Sequence, residues 1–206
     1  MAGFFSNLRN VIIVSLILAA IFMAGFGLHG PDGFGVRFAI AVMRWAHVVC
    51  GILWVGLLYY FNFVQIRVMP NIPAEQKPAV SKHIAPEALF WFRYAALATV
   101  ALGLVLAYLN GYAPETLTLG FINGFDPASD VRFAFMGAGM WLGIIMMLNV
   151  WHFIWPAQKI ALGLRDGFTP EQKAAAARKA MIFSRLNTML SLPMLVAMTM
   201  YQTIFG

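Results

Sequence analysis

The residues able to do chemistry concentrate in one apolar run, Arg44 to Gln65, which carries an arginine, a histidine, a cysteine, an asparagine and a glutamine. The run is long enough to cross a bilayer. Polar groups in hydrocarbon are costly, so each needs a partner or a purpose. His47 comes first, because a neutral imidazole can ligate iron or another metal, relay a proton, or hydrogen-bond a neighbouring helix. All three readings are open at this stage. On a helix His47, Gly51, Trp54, Leu58, Phe61 and Gln65 recur at steps of three and four residues, so they share one face, which should point into a bundle.

Depth limits what His47 can pair with. It lies near the outer end of its span, and His152 near the inner end of another. At 1.5 Å per residue the two differ in depth by roughly 15–20 Å, too far to sandwich one iron. Met136 and Met140 lie nearer the depth of His47, so a histidine–methionine pair is conceivable. His29 sits in the outer loop, from which it could fold back toward His47, and His83 in an inner loop. A second cluster gathers at the inner ends of the spans: Asn62, Gln65, Arg93, Asn149, His152, Arg185 and Asn187, with Trp91, Trp151 and Trp155 around it. It reads either as an aromatic belt with snorkelling arginines or as a site for a quinone headgroup, haem propionates or another polar ligand. Ser184, Asn187 and Ser191 form a small polar stripe of the kind that packs helices together.

Five apolar spans, about Val11–Leu28, Val36–Val68, Glu87–Leu109, Phe133–Trp155 and Met181–Phe205, must position these groups. The first is read as an uncleaved helix rather than a signal peptide. Pro70 and Pro73 should stop the second span and Pro156 the fourth. The stretch Asn71–Pro86 reads as a loop, and Pro193 should kink the last span. Thr169-Pro170-Glu171-Gln172 reads as a helix start, leading a short cytoplasmic helix into the last span. Lysine and arginine gather at the N-terminus and in the loops after spans two and four. Acids gather in the loop after span three. The positive-inside rule then puts the N-terminus in the cytoplasm. The expected fold is an all-α polytopic membrane helix bundle of about five transmembrane helices, a single integral membrane domain over residues 1–206.

Composition agrees. The 206 residues are 61% hydrophobic and only 11% charged, against about 25% charged in a soluble domain. The net charge of +6 sits in loops rather than in a patch, which argues against nucleic acid as a partner and for membrane lipid. A single cysteine, Cys50, leaves no internal disulfide, no Cys-x-x-Cys zinc pair and no Cys-x-x-Cys-His attachment motif, so covalent haem c is excluded. Phosphate loops, dinucleotide-binding glycines, His-Glu-x-x-His and nucleophile elbows are absent from the sequence, as is any intramembrane carboxylate pair. The thirteen methionines read as packing rather than as copper ligands.

Four ordered blocks resemble the urate oxidase N-terminal membrane domain family, the membrane part of bacterial cytochrome-c-fused urate hydroxylases. The first is Arg44-Trp45-x-His47-x-x-x-Gly51-Ile52-x-Trp54-x-Gly56-x-x-Tyr59-Tyr60-Phe61-Asn62. The others are Ala85-Pro86-x-Ala88-Leu89-x-Trp91-Phe92-Arg93, Asn149-Val150-Trp151-x-x-Ile154-Trp155-Pro156-x-Gln158-Lys159 and Ser184-Arg185-x-Asn187-x-x-x-Ser191-x-Pro193. The chain looks like a stand-alone member without the cytochrome c domain. The resemblance implies a bacterial inner-membrane protein linked to redox chemistry, with His47 as the intramembrane histidine of the pattern. The first functional expectation is a redox-linked membrane module that binds b-type haem with His47 as axial ligand, Arg44 or Arg185 offsetting propionate charge, and a separate cytochrome c or respiratory complex as electron partner. The candidate cofactor residues are His47, Arg44, Trp54, Met140, Arg93, Arg185, Asn149 and Asn187, with His47 the metal ligand. The rival reading is an accessory subunit that packs against other membrane subunits and binds lipid or quinone. Urate hydroxylation itself ranks below both, because a relay domain and a urate-binding constellation are not evident.

Overall fold

Five helices carry the apolar runs in the computed structural model, which describes residues 2–205: α1 (Leu8–His29), α2 (Val36–Asn71), α3 (Lys77–Leu109), α4 (Val131–Ala161) and α5 (Pro170–Phe205). Each is long and apolar enough to span a bilayer, and the described residues hold no strand. The fold is all-α and multi-pass, as expected. The chain divides into two compact units, Met1–Trp45 and Ala46–Gly206, the boundary falling within α2. Met1 and Gly206, the ends of the single domain expected over 1–206, lie outside the described residues.

Local chemistry explains where the helices start. The Asn7 side chain accepts from the Arg9 amide at the head of α1. At the head of α5 the Thr169 hydroxyl accepts from the Gln172 amide, and the Gln172 side-chain oxygen accepts from the Thr169 amide. This is a reciprocal capping box, with Pro170 at the first helical position, where no N–H is needed.

Three expected boundaries are corrected. The helix of α3 begins at Lys77, inside the stretch read as a loop, and α4 runs past Pro156 to Ala161. In both, the turn before the proline is π-helical: Val80–Ile84 before Pro86 and Val150–Ile154 before Pro156. A proline ring clashes with the carbonyl four residues back and donates no hydrogen bond. Widening the turn moves that carbonyl aside, so the helix continues. A third π turn, Tyr60–Gln65, lies in α2. There the Asn62 side-chain amide donates to the Leu58 carbonyl at 2.9 Å, competing with the backbone for that acceptor. Finally, α5 is one continuous helix from Pro170 with Pro193 inside it, not a short helix followed by a span.

In the first unit, Phe34 packs against Gly27, where a Cβ would collide with its ring. Arg37 Nε pairs with Asp32 Oδ2 at 3.0 Å in the turn before α2. The second unit is an antiparallel ring of four helices. The contact from α2 to α3 is Phe61 against Phe92, and from α3 to α4 it is Arg93 on Trp155. The contact from α4 to α5 is Asn149 to Asn187, and Asn62 to Ser184 closes the ring back to α2. The core is apolar with a few polar side chains, and the outer surface is apolar too. Arg93, Thr99, Asn149, Ser184, Asn187 and Ser191 are buried, while Ile52, Met189 and Leu192 are more than 60% exposed. Apolar side chains facing outward from buried polar ones is the pattern a lipid solvent selects.

Candidate functional site

The inward stripe of α2 sets the site. Trp54, Leu58 and Phe61 are buried, and His47, Gly51 and Gln65 half-buried, whereas Val48, Val49, Ile52 and Leu53 are exposed. His47 is therefore turned into the bundle. Its Nδ1 lies 2.8 Å from the backbone carbonyl oxygen of Thr99 on α3. A carbonyl can only accept, so the proton of the neutral ring sits on Nδ1 and Nε2 carries the free lone pair. The Thr99 hydroxyl is spoken for, donating to the Ala95 carbonyl at 2.7 Å.

Gly103 makes this approach possible. A Cβ there would stand 3.0 Å from His47 Cε1 and 3.2 Å from Nδ1, closer than ring and methyl carbons sit at rest. Beyond the ring lies a small cavity of about 50 Å³ walled by His47, Trp54, Gly103, Met140, Gly143 and Met198, with Met194 alongside. A Cβ added at Gly143 would meet nothing within 4 Å, so that glycine opens space rather than packing a neighbour. Gly139 does the opposite: its missing Cβ lets Ala197 of α5 come close. The indole N–H of Trp54 is buried against this cavity without a hydrogen-bond partner.

The expected pair of His47 and Met140 thus shares one cavity, with Trp54, while Met136 is buried outside its wall. The other candidates lie elsewhere. Asn149 and Asn187 bond each other at 3.0 Å, and the Asn187 amide donates to the Met146 carbonyl at 2.9 Å. That is a fully used helix-to-helix clasp, the packing role a small polar stripe suggests. Arg93 is buried on Trp155, six residues from Thr99 along α3, roughly 9 Å at the helical rise. Arg185 is exposed, and neither arginine lines the cavity. Arg44 is half-buried and belongs to the first unit. His29 donates to the Gly25 carbonyl and His152 to that of Leu148, each within its own helix. His83 lies in the π turn of α3 rather than in a loop.

Sequence reasoning missed Thr99, Gly103, Gly143, Met194 and Met198. Thr99 acts through its backbone carbonyl, which any residue would supply. The glycines did leave a trace, since Gly139 and Gly143 are four apart within a span, the spacing of close helix approach. Among the described residues no group of three or more histidine, cysteine or carboxylate side chains gathers, so a conventional multi-ligand metal centre is not built here. The site is one oriented imidazole facing an apolar, thioether-rich cavity. No protein-family model, curated protein or solved structure matches the chain.

Proposed function

We propose that this protein is a redox-linked integral membrane protein whose centre is the His47 cavity, and that the cavity binds b-type haem and serves a separate electron carrier or respiratory complex. The observation that carries the reading is the bond from His47 Nδ1–H to the Thr99 carbonyl. Metal-binding histidines commonly donate their second nitrogen to a carbonyl in this way, which fixes the tautomer and ring plane and raises the basicity of the ligating nitrogen. The remaining residues fit such a group only in part, because neither Arg93 nor Arg185 lines the cavity to meet the haem propionates. The space itself, about 50 Å³, is far below the roughly 300–1,000 Å³ of ligand pockets, so the helices around His47 would have to part for haem to enter. Gly143 leaves a cradle that a methyl group would fill, and Met140 offers a second, sulfur ligand across the same space.

Haem, when bound, supplies one-electron chemistry. The work of the chain is to hold and shield it. Thr99 orients the imidazole, and Gly103 admits it to the backbone. The aliphatic and thioether walls keep water out, which matters because solvent access helps set a redox potential.

The test is the absorption spectrum of the purified protein. It should show a Soret band that shifts on dithionite addition and is lost in His47→Ala. A protein that expresses and folds without any such band removes haem from the reading. The rival is an accessory subunit in a larger membrane complex, favoured by the buried cation Arg93, which has no role at the His47 cavity. It expects co-purification with that complex and no spectrum of its own.

A further inference from the structure

Where α3 meets α4 near Pro156, two cations share one indole. The Arg93 guanidinium carbon lies 3.5 Å from the centre of the Trp155 ring and Lys159 Nζ lies 5.5 Å from it. Arg93 is only 8% exposed, and its Nη1 is buried with no hydrogen-bond partner. Trp151 Nε1, one turn before Trp155, is buried and unpartnered as well. Tyr94 closes the corner, its ring 5.8 Å from that of Trp151 and 5.7 Å from the Arg93 guanidinium carbon. Among the described residues the one carboxylate ion pair is that of Arg37 with Asp32 in the first unit, so no described acid forms an ion pair with Arg93 or Lys159.

Burying a cation without a counter-charge costs several kcal/mol in a low-dielectric medium. Stacking on indole offsets part of that. What is missing is an acceptor bearing negative charge, because both orphan atoms are N–H donors. Trp151, Trp155 and Lys159 recur at four-residue steps and present one stripe of α4 to that acceptor.

We infer that Arg93, Trp151 and Lys159 form a binding site for the phosphate of an acidic phospholipid headgroup. The phosphate oxygens would accept from Arg93 Nη1 and Trp151 Nε1, with Lys159 as the second charge. The source is lipid rather than a soluble phosphate because the surrounding helix surface is built for acyl chains: Phe90, Trp91 and Tyr94 on α3 and Phe153 on α4 are each more than a third exposed. Basic pockets between spans on the inner side are a recurrent way of holding such lipids. This site is separate from the His47 cavity and does not depend on haem being bound there.

The full chain, delipidated in mild detergent, is unfolded thermally with added phosphatidylglycerol, phosphatidylcholine, inorganic phosphate or decylubiquinone. Phosphatidylglycerol should raise the midpoint at concentrations where the other three have little effect. Lys159→Gln should weaken that response about fivefold in apparent affinity, and Trp151→Phe should weaken it too, while both keep the unliganded midpoint and helical circular dichroism. These two variants carry the test even if Arg93→Gln fails to fold. Equal protection by phosphatidylcholine, an undiminished response in Lys159→Gln and Trp151→Phe, protection by inorganic phosphate alone, or protection by the quinone alone would each overturn the lipid assignment. A missing Soret band would leave this result untouched, so the two readings fail separately.

Discussion

Substituting Gly103 asks directly whether the His47 tautomer is set by the fold. An alanine Cβ would sit 3.0 Å from Cε1 and 3.2 Å from Nδ1 of the imidazole. The ring must then retreat by a few tenths of an ångström, taking the 2.8 Å bond to Thr99 to roughly 3.1–3.2 Å, the long end for N–H···O. Valine adds a branch and pushes it beyond that limit. Losing the bond costs about 0.6–1.7 kcal/mol in a membrane interior, while glycine to alanine in a helix returns up to about 1 kcal/mol. The two nearly cancel for alanine, so melting temperature is the wrong readout there. The right one is nitrogen NMR of histidine-labelled protein, with the His47 signal assigned by its absence in His47→Gln. The haem-free wild type should show a protonated Nδ1 and a bare Nε2. Gly103→Ala should keep that form with a weakened bond, and Gly103→Val should give mixed tautomers together with loss of bound haem. Gly56→Ala, where a Cβ meets nothing within 4 Å, serves as the neutral control. A pure Nδ1–H form in Gly103→Val would refute the reasoning, because the contact would then not be what positions the ring.

Other consequences are measurable with less effort. Asn187→Ala removes two bonds, to Asn149 and Met146, and strands the buried Asn149 amide. It should cost about 1–3 kcal/mol, read as a lowered thermal midpoint in detergent. Thr169→Ala opens the capping box of α5 and should cost about 0.5–2 kcal/mol locally. Hydrogen exchange should rise in the first turn after Pro170, with the His47 tautomer unchanged. Urate hydroxylation, ranked below both other readings, would require urate-dependent reduction of added cytochrome c. An accessory subunit would give none.

Much of this protein was legible in its residues because the controlling physics is local. A bilayer demands long apolar helices, so hydropathy alone located all five spans. Capping is a matter of four consecutive residues, so Thr169 to Gln172 declared the start of α5. The period of a helix placed His47, Trp54, Leu58 and Phe61 on one inward face before any neighbour was known. The prolines misled for an instructive reason. By sequence alone Pro156 reads as a stop and Pro86 as the end of a loop, but both follow π turns, and within a packed bundle such a turn can carry a helix onward.

What only the tertiary structure decided is which surfaces meet. Helix rotation and vertical register are set by packing between segments distant in sequence. Nothing local could reveal that His47 reaches the carbonyl of Thr99, 52 residues away, or that Gly103 leaves the room for it. The same holds for the candidate cofactor residues, which depth placed in two groups. The structure kept Met140 with His47 but moved Arg185 to the surface. It also set Arg93 on Trp155 beside Lys159. A sequence lists the charges and donors; their neutralisation depends on distances between helices, which only folding sets.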